Sequence, residues 1–193
     1  MKREIRRQFV HLSGLIFIII AQFIGSMIFS WCFMIAFFMF VYLVYLRWGV
    51  MLHPAEKNFR KFILSFERET EFPLIGAFWF FFSMGLTFLL FPLNTASAAC
   101  LILVVGDALA TLIGKFAGRH KIGEKSIEGS LAFFFGSLTS WYFIGLYSIP
   151  VSVFATFVEL IPVLVKNKKL KCIIDDNLLI PPLTAIFITI FLK

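Results

Sequence analysis

Long apolar stretches alternate with short groups of charged residues, prolines and glycines along most of the chain. A helix that crosses a lipid bilayer needs about 20 mostly apolar residues. The pattern therefore predicts a single transmembrane domain over residues 1–193 that is built from seven helices. These helices are expected at residues 10–25, 27–46, 74–91, 94–114, 130–148, 150–165 and 178–192.

The segment 54–69 has a different pattern, with apolar residues at helical spacing and charged residues on the remaining faces. The apolar positions are Phe59, Phe62, Ile63 and Phe66. Pro54 suits the first position of a helix. The pattern predicts an amphipathic helix that either lies in the inner membrane interface or packs on its own helical bundle.

The composition agrees with a membrane protein. Of the 193 residues, 60% are hydrophobic and 15% are charged, whereas soluble proteins carry roughly 25% charged residues. The three cysteines follow no spacing typical of a metal site or a disulfide framework, so free thiols are expected. The expected fold class is an all-α polytopic integral membrane protein.

The formal net charge of +7 would suggest a nucleic-acid partner in a soluble protein. Here 17 of the 18 Lys and Arg residues fall in the N-terminal tail and in alternate loops. Because Lys and Arg collect on the cytoplasmic side of membrane proteins, the distribution predicts an inside N-terminus, an outside C-terminus and no nucleic-acid partner. The basic, then apolar, N-terminus resembles a signal peptide, but it lacks a small-residue cleavage site and is expected to be the first span.

Five acidic residues lie at or near membrane depth, where a carboxylate costs about 2.5–3.5 kcal/mol and by default marks a functional site. They are Asp107, Glu128, Glu159, Asp175 and Asp176. Small residues follow the first of them at i+3, i+7 and i+11, which favours close approach of another backbone or of a phosphate chain. Helix packing explains such a small face by itself, but the carboxylate favours a site.

The connection KFAGRHKIGEKSIEGS (115–130) combines cations, glycines and hydroxyls between Asp107 and Glu128. Lys and Arg neutralise phosphate, and Mg²⁺ is commonly held by one or two carboxylates together with substrate phosphates. The pattern predicts a magnesium–nucleotide site. An ordinary basic inner loop would explain the lysines but not the acids.

Three further positions have competing interpretations. Glu159 shares a polar stripe with Ser152 and Thr156 that should face the bundle interior. Asp175 is suited to cap the last helix instead of serving a ligand. His11 shares a helix face with Arg7 at the inner boundary, where a lone histidine is more often an interface anchor than a catalyst.

Taken together, these motifs resemble the CTP-dependent polyprenol kinases, the family that includes dolichol kinase and phytol kinase. GDALATLIGKFAG (106–118) is similar to the family pattern G-D-x-x-A-x-x-x-G-x-x-x-G, and KSIEGS (125–130) to K-S-x-E-G-S/T. EIRRQFVH (4–11) is similar to an N-terminal Arg and His signature. The glutamate of ELIP and the segment DNLLIP (176–181) resemble the C-terminal part of the family pattern.

The resemblance implies transfer of the γ-phosphoryl group of CTP to an isoprenoid or other lipid alcohol, with Mg²⁺, at the cytoplasmic face. It implies catalytic roles for Asp107, Lys125 and Glu128. It implies metal ligation by Asp107, Glu128 and Asp176. Nucleotide or phosphate contacts are implied for Lys115, Arg119, Ser126, Gly129, Asn177, Arg7 and His11, with Glu159 as a weaker member of the site.

Other functions remain open at this point. A CTP-dependent diacylglycerol kinase would differ only in its acceptor. Cytidylyltransferases such as CDP-diacylglycerol synthase also use CTP, but this chain is short for them and lacks their further segments. An ion-coupled transporter could use Asp107, Glu159 and Asp176, although the chain has no internal repeat. The sequence does not determine the alcohol or whether the protein forms a homo-oligomer.

Overall fold

A computed structural model of the chain describes residues 7–9, 11–47, 74–165 and 174–191. These residues are almost entirely helical, so the all-α prediction is confirmed. Residues 7–9 and 11–12 are helical and precede the first bounded helix. The helices are α1 (Gly14–Ile24), α2 (Ile28–Arg47), α3 (Ile75–Leu90), α4 (Leu93–Leu101), α5 (Ala108–Phe116), α6 (Ile127–Ser137), α7 (Trp141–Ile144), α8 (Ser148–Leu164) and α9 (Asp176–Phe191).

Two short strands, β1 (Lys121–Ile122) and β2 (Lys125–Ser126), form an antiparallel hairpin between α5 and α6. The hairpin turns at Gly123, which has a φ of +60°. A Cβ at this glycine would lie 2.6 Å from Cγ1 of Val163 in α8. The hairpin therefore rests closely on the end of α8, and only a residue without a side chain fits there.

Glycines with positive φ break the two longest helical stretches. Gly25 has φ 68° and lies between α1 and α2, as the sequence predicts for that turn. The predicted spans 130–148 and 150–165 place a second turn near Pro150, and this position is wrong. The turn lies at Gly145, with φ 56° and ψ −137°. Pro150 instead lies in the first turn of α8, where its missing N–H breaks no helical hydrogen bond.

Three helical stretches are long and apolar enough to cross a membrane, namely Arg7–Tyr45, Leu93–Phe116 and Ile127–Leu164. Two shorter helices, α3 and α9, are also apolar. Large hydrophobic side chains such as Phe23, Trp31 and Phe157 are exposed on the outside. Because lipid solvates such surfaces, the apolar helices and their exposed side chains are consistent with a membrane protein. The count of seven spans and the inside N-terminus stay predictions, and the expected helix at 54–69 lies outside the described residues.

The stretch from α4 to α5 forms the centre of the molecule. Ala96, Ala98 and Ala99 of α4 are fully buried, and α4 packs against both α3 and α9. Between α4 and α5 the helix widens into a π-helical segment, Ile102–Asp107. Such segments are rare and often lie at functional sites. This one ends at Asp107, the first of the acidic residues that are expected to mark a functional site.

The small face that follows Asp107 packs against α6. A Cβ at Gly129 would lie 3.0 Å from the carbonyl oxygen of Ala110 and 3.2 Å from Cα of Gly114. The helices α5 and α6 therefore approach with almost no side chain between them. Of the two expected uses of this face, the structure shows approach of another backbone.

Candidate active site

Six polar residues that are far apart in the sequence meet at one end of the bundle. We call them the polar cluster: His11, Asp107, Lys125, Glu159, Asp176 and Asn177. They come from the start of the chain, the π-helical segment, β2, α8 and the first turn of α9. Two sets of contacts, one centred on Lys125 and one on His11, hold them together through the neighbouring residues Asp176 and Asn177.

Lys125 forms the first set of contacts. Its Nζ lies 2.6 Å from Oε1 of Glu159 and 3.0 Å from Oδ2 of Asp176. It also donates to the backbone carbonyl of Glu159 at 2.5 Å. An ammonium group has three protons to donate, and here it meets three acceptors. Burial by itself would lower the pKa of Lys125, but the charges of Asp176 and Glu159 outweigh burial and hold this pKa above its usual value. Lys125 therefore connects the hairpin to both α8 and α9 through its charged side chain.

Glu159 faces the interior of the bundle, as predicted. Its side chain is almost completely buried, and its second oxygen, Oε2, accepts a hydrogen bond from Ser130 of α6 at 3.3 Å. In the same stripe, the hydroxyl of Thr156 donates to the backbone carbonyl of Ser152. Both oxygens of Glu159 thus have donors from other parts of the chain.

His11 forms the second set of contacts. Its Nε2 lies 2.9 Å from Oδ1 of Asn177 and 3.5 Å from Oδ2 of Asp107. The imidazole packs against the ring of Phe80 at a centroid distance of 4.4 Å. An interface anchor would lie at the surface, whereas His11 is only 8% exposed. Its position therefore favours a role in the polar cluster.

Asp107 is buried, yet its contacts are few. Among the described residues its carboxylate meets His11 at 3.5 Å, which is longer than a strong charge-assisted hydrogen bond. An ionised carboxylate has about four lone-pair sites for donors or metal ions. Asp107 is therefore the member of the polar cluster with the most capacity for a further ligand.

The start of α9 is fixed by its own carboxylates. The backbone N–H of Asn177 lies 2.9 Å from Oδ1 of Asp175 and 3.1 Å from Oδ1 of Asp176. Asp175 thus caps the helix, which is the structural interpretation that its position allowed. Asp176 uses its other oxygen for Lys125 and joins the polar cluster.

Glu128 points elsewhere. Its Oε1 lies 2.7 Å from Nδ1 of His120, and the backbone N–H of His120 donates to the same carboxylate. Ser126 caps α6 by accepting from the N–H of Gly129 at 3.1 Å. Glu128 directly precedes this glycine, which is buried against α5. Successive helical residues differ by about 100° in direction, which turns Glu128 away from α5. The described contacts join it to His120 and none joins it to Asp107.

The remaining phosphate-binding candidates lie on the elements that carry the polar cluster or on the next elements along the chain. Lys115 and Arg119 are exposed near the hairpin, and Arg7 is half-buried on the helical segment that carries His11. Ser126 and Gly129 have structural tasks in the cap and in the contact of α6 with α5. The proposed nucleotide contacts of these five residues stay predictions.

The donor set of the polar cluster suits Mg²⁺ only in part. Within the described ranges, no three His, Cys, Asp or Glu side chains are placed to hold one metal ion. Mg²⁺ is, however, commonly held by one or two carboxylates plus substrate phosphates and water. Asp107 and Asp176 are the candidates for that smaller requirement, although both oxygens of Asp176 already accept from Lys125 and from the N–H of Asn177.

Sequence reasoning missed several residues that support the site. Ser83 donates to the backbone carbonyl of Asn177 at 2.6 Å, and Ser130 donates to Glu159. Phe80 and His120 contact His11 and Glu128. Ser130 ends the KSIEGS motif and could have been selected from it, but a single serine in an apolar helix gives no such signal for Ser83.

No family model matches the chain, and no solved structure gives a significant match. The uncharacterized protein MJ1137 of Methanocaldococcus jannaschii is 37% identical over 117 residues, which cover 58% of this chain and 57% of that protein. The uncharacterized protein RP860 of Rickettsia prowazekii is 30% identical over 200 residues, which cover 97% of this chain and 94% of that protein. Because the latter match spans nearly all of both chains, the protein belongs to the same family as the Rickettsia protein.

Proposed function

We propose that the protein is a lipid kinase that transfers the γ-phosphoryl group of CTP to the hydroxyl of a membrane isoprenoid alcohol. One observation carries the proposal. The N-terminal, central and C-terminal motifs that resemble the polyprenol kinases supply the six members of the polar cluster, although His11 and Asn177 are 166 positions apart. A resemblance by chance would not require the three motifs to meet in space.

In the proposed reaction, the hydroxyl oxygen of the alcohol attacks the γ-phosphorus, and the bond from that phosphorus to the β–γ bridging oxygen breaks. CDP leaves, and the proton of the alcohol passes to a carboxylate oxygen of the polar cluster. Phosphoryl transfer depends mainly on positioning and charge stabilisation, so a strong base is not required. The exposed cations Lys115 and Arg119 are suited to neutralise phosphate oxygens of the nucleotide.

Asp107 and Asp176 would hold Mg²⁺, which when bound supplies positive charge to the phosphates of the nucleotide. Lys125 keeps Asp176 and Glu159 fixed, and His11 holds Asp107 against α9. Through these contacts the chain orients the carboxylates before a nucleotide arrives. The alcohol would enter sideways from the inner leaflet, with its hydrocarbon chain between apolar helices.

The experiment uses purified protein, Mg²⁺ and CTP labelled in either the γ or the α phosphate, with phytol, geranylgeraniol, dolichol and diacylglycerol as acceptors. We expect the γ label, and not the α label, in an isoprenoid phosphate. Label from the α phosphate in the lipid would identify a cytidylyltransferase instead. Phosphorylation of diacylglycerol alone would change the acceptor class, and an unlabelled lipid with every acceptor would refute the kinase.

A further inference from the structure

Pro181 leaves one backbone carbonyl at the start of α9 without its helical donor. In an α-helix the N–H of residue i bonds to the carbonyl of residue i−4, and proline has no N–H. The carbonyl concerned is that of Asn177, and the next residue, Pro182, lacks an N–H as well. Asn177 is buried, so water is a poor substitute for the missing donor.

Ser83 of α3 supplies the missing donor. Its Oγ lies 2.6 Å from the carbonyl oxygen of Asn177, and the serine itself is fully buried. The hydroxyl also lies 3.1 Å from the carbonyl of Phe80 in its own helix, which is an ordinary contact for a helical serine. Among the described contacts, Thr87, one turn further along α3, donates only within its own helix, to the carbonyl of Ser83. Of these two buried hydroxyls, Ser83 is therefore the one with a described hydrogen bond to α9.

Asn177 transmits this contact to the candidate site. Its side-chain Oδ1 lies 2.9 Å from Nε2 of His11, whose ring reaches Asp107. Its backbone N–H lies 3.1 Å from Asp176, which holds Lys125. A displacement of the Asn177 backbone would therefore move both sets of contacts of the polar cluster.

We propose that Ser83 is a positioning residue for the candidate site. Its hydroxyl holds the carbonyl that Pro181 leaves open, and thereby fixes Asn177 and Asp176 against His11 and Lys125. The inference rests on the proposed function, since the groups positioned are those of the proposed phosphoryl transfer. Ser83 itself does not contact the reacting atoms.

The proline makes a selective rescue possible. Ser83→Ala removes the hydroxyl donor. In the double variant Ser83→Ala/Pro181→Ala, the restored N–H of residue 181 can bond to the same carbonyl within the helix. Pro182→Ala in the Ser83→Ala background is the matched control, because the N–H it restores is in register with the carbonyl of residue 178. Thr87→Val removes a buried hydroxyl of the same helix, whose described hydrogen bond is to the carbonyl of Ser83 and not to α9.

The first measurement needs neither nucleotide nor lipid. The chain contains three histidines, so the ¹⁵N imidazole signals of the labelled protein are few, and the loss of one signal in His11→Asn identifies His11. We expect Ser83→Ala to shift the His11 signal, and Pro181→Ala to restore it in that background. Pro182→Ala should not restore it, and Thr87→Val should leave the wild-type signal in place. An unshifted His11 signal in Ser83→Ala, or equal restoration by both prolines, would overturn the inference.

The second measurement is kinetic. Displacement of catalytic groups by about 1 Å costs up to about 10²-fold in rate, so we expect Ser83→Ala to lower kcat by between about 10-fold and 10²-fold. The KM for CTP should stay near the wild-type value, and Pro181→Ala should recover most of kcat. A loss confined to KM, or no recovery, would contradict a positioning role.

The two measurements separate the inference from the proposed function. A wild-type protein that phosphorylates no lipid from CTP refutes the kinase, whereas the histidine signals still test the link from Ser83 to His11. If Ser83→Ala does not fold, the same cycle is run on Ser83→Cys, whose thiol is a weaker donor. The same pattern at smaller amplitude is then expected, and a His11 signal unchanged in Ser83→Cys would overturn the inference.

Discussion

The side chains of the polar cluster differ in how fully their contacts are satisfied. The three protons of Lys125 meet three acceptors, and both oxygens of Glu159 have donors. Asp107 is equally buried but meets His11 only at 3.5 Å. A buried carboxylate with few donors is costly unless a ligand completes its surroundings, so Asp107 is the residue on which substrate chemistry should depend most.

We therefore expect Asp107→Asn and Glu128→Gln to differ strongly. The first substitution removes the charge of the carboxylate that faces the proposed site, and should lower kcat by about 10²-fold or more. The second affects a side chain bonded to His120 on the surface, and should cost less than about tenfold. Initial rates with labelled CTP measure both. Equal losses of kcat in the two variants would indicate that Glu128 belongs to the proposed metal site.

Lys125 should contribute strongly to stability. Removing one partner of a fully buried ion pair costs about 3–5 kcal/mol, because the other charge stays buried without compensation, and the 21% exposure of the Lys125 side chain makes this an upper value here. We expect Lys125→Met to lower the midpoint of thermal unfolding in detergent, and Lys125→Met/Glu159→Gln to recover part of the loss by removing one carboxylate charge. Lys121→Met, on the exposed strand of the same hairpin, is the control. A Lys125→Met protein as stable as this control would show that the ion pair is weak.

At the scale of residues, the sequence was sufficient to select every member of the polar cluster. Acids at membrane depth are rare enough to be conspicuous, and the motifs added His11, Lys125 and Asn177. The partner of Glu128 could not be predicted, because it depends on which residue begins α6. Ser126 caps the helix, which begins at Ile127, and a shift of one residue would have turned a different side chain toward α5.

At the scale of elements, the helices follow the hydrophobic pattern closely, whereas the position of a turn depends on the φ and ψ values that a residue can adopt. Pro150 is a strong signal for the end of a span, yet a proline in a first helical turn disrupts nothing. The reversal instead occurs at Gly145, whose φ and ψ lie in a region that is nearly restricted to glycine. Because apolar residues lie on both sides of this glycine, a prediction based on hydropathy could not locate the turn.

Gly145→Ala should therefore destabilise the protein by backbone strain alone. A Cβ at this position would meet no atom within 4 Å, so crowding does not contribute. Strain of this kind costs on the order of 1–3 kcal/mol. The control is Gly76→Ala, a helical glycine whose added Cβ would make an ordinary contact at 3.7 Å. Thermal unfolding of both variants is the measurement, and equal midpoints would contradict the assigned turn.

At the scale of the whole molecule, the polar cluster lies at the ends of helices that the charge pattern assigns to one side of the membrane. His11 is near the start of the helical segment before α1, Lys125 follows α5, Glu159 is near the end of α8, and Asp176 begins α9. The positions of His11, Glu159 and Asp176 agree with the distribution of Lys and Arg, to which these three residues do not contribute. Hydropathy alone could not have predicted that five segments meet there, because contacts between helices depend on small residues and polar pairs.

The topology can be tested directly. We expect a reporter fused after Lys193 to be active outside, and a reporter before Lys2 to be active in the cytoplasm, because 17 of the 18 Lys and Arg residues then lie inside. A cytoplasmic reporter at both ends would mean an even number of spans. The fusion that ends at Val165, after α8, serves as the internal control and should report from the inside.

The span of 166 residues between His11 and Asn177 has a consequence for synthesis. The ribosome releases the N-terminal histidine long before it makes the helix that carries its partner. Until α9 is made, His11 lacks Asn177 and Lys125 lacks Asp176. A chain truncated before α9 therefore leaves buried polar groups without their partners, and we expect it to be degraded faster than the full chain.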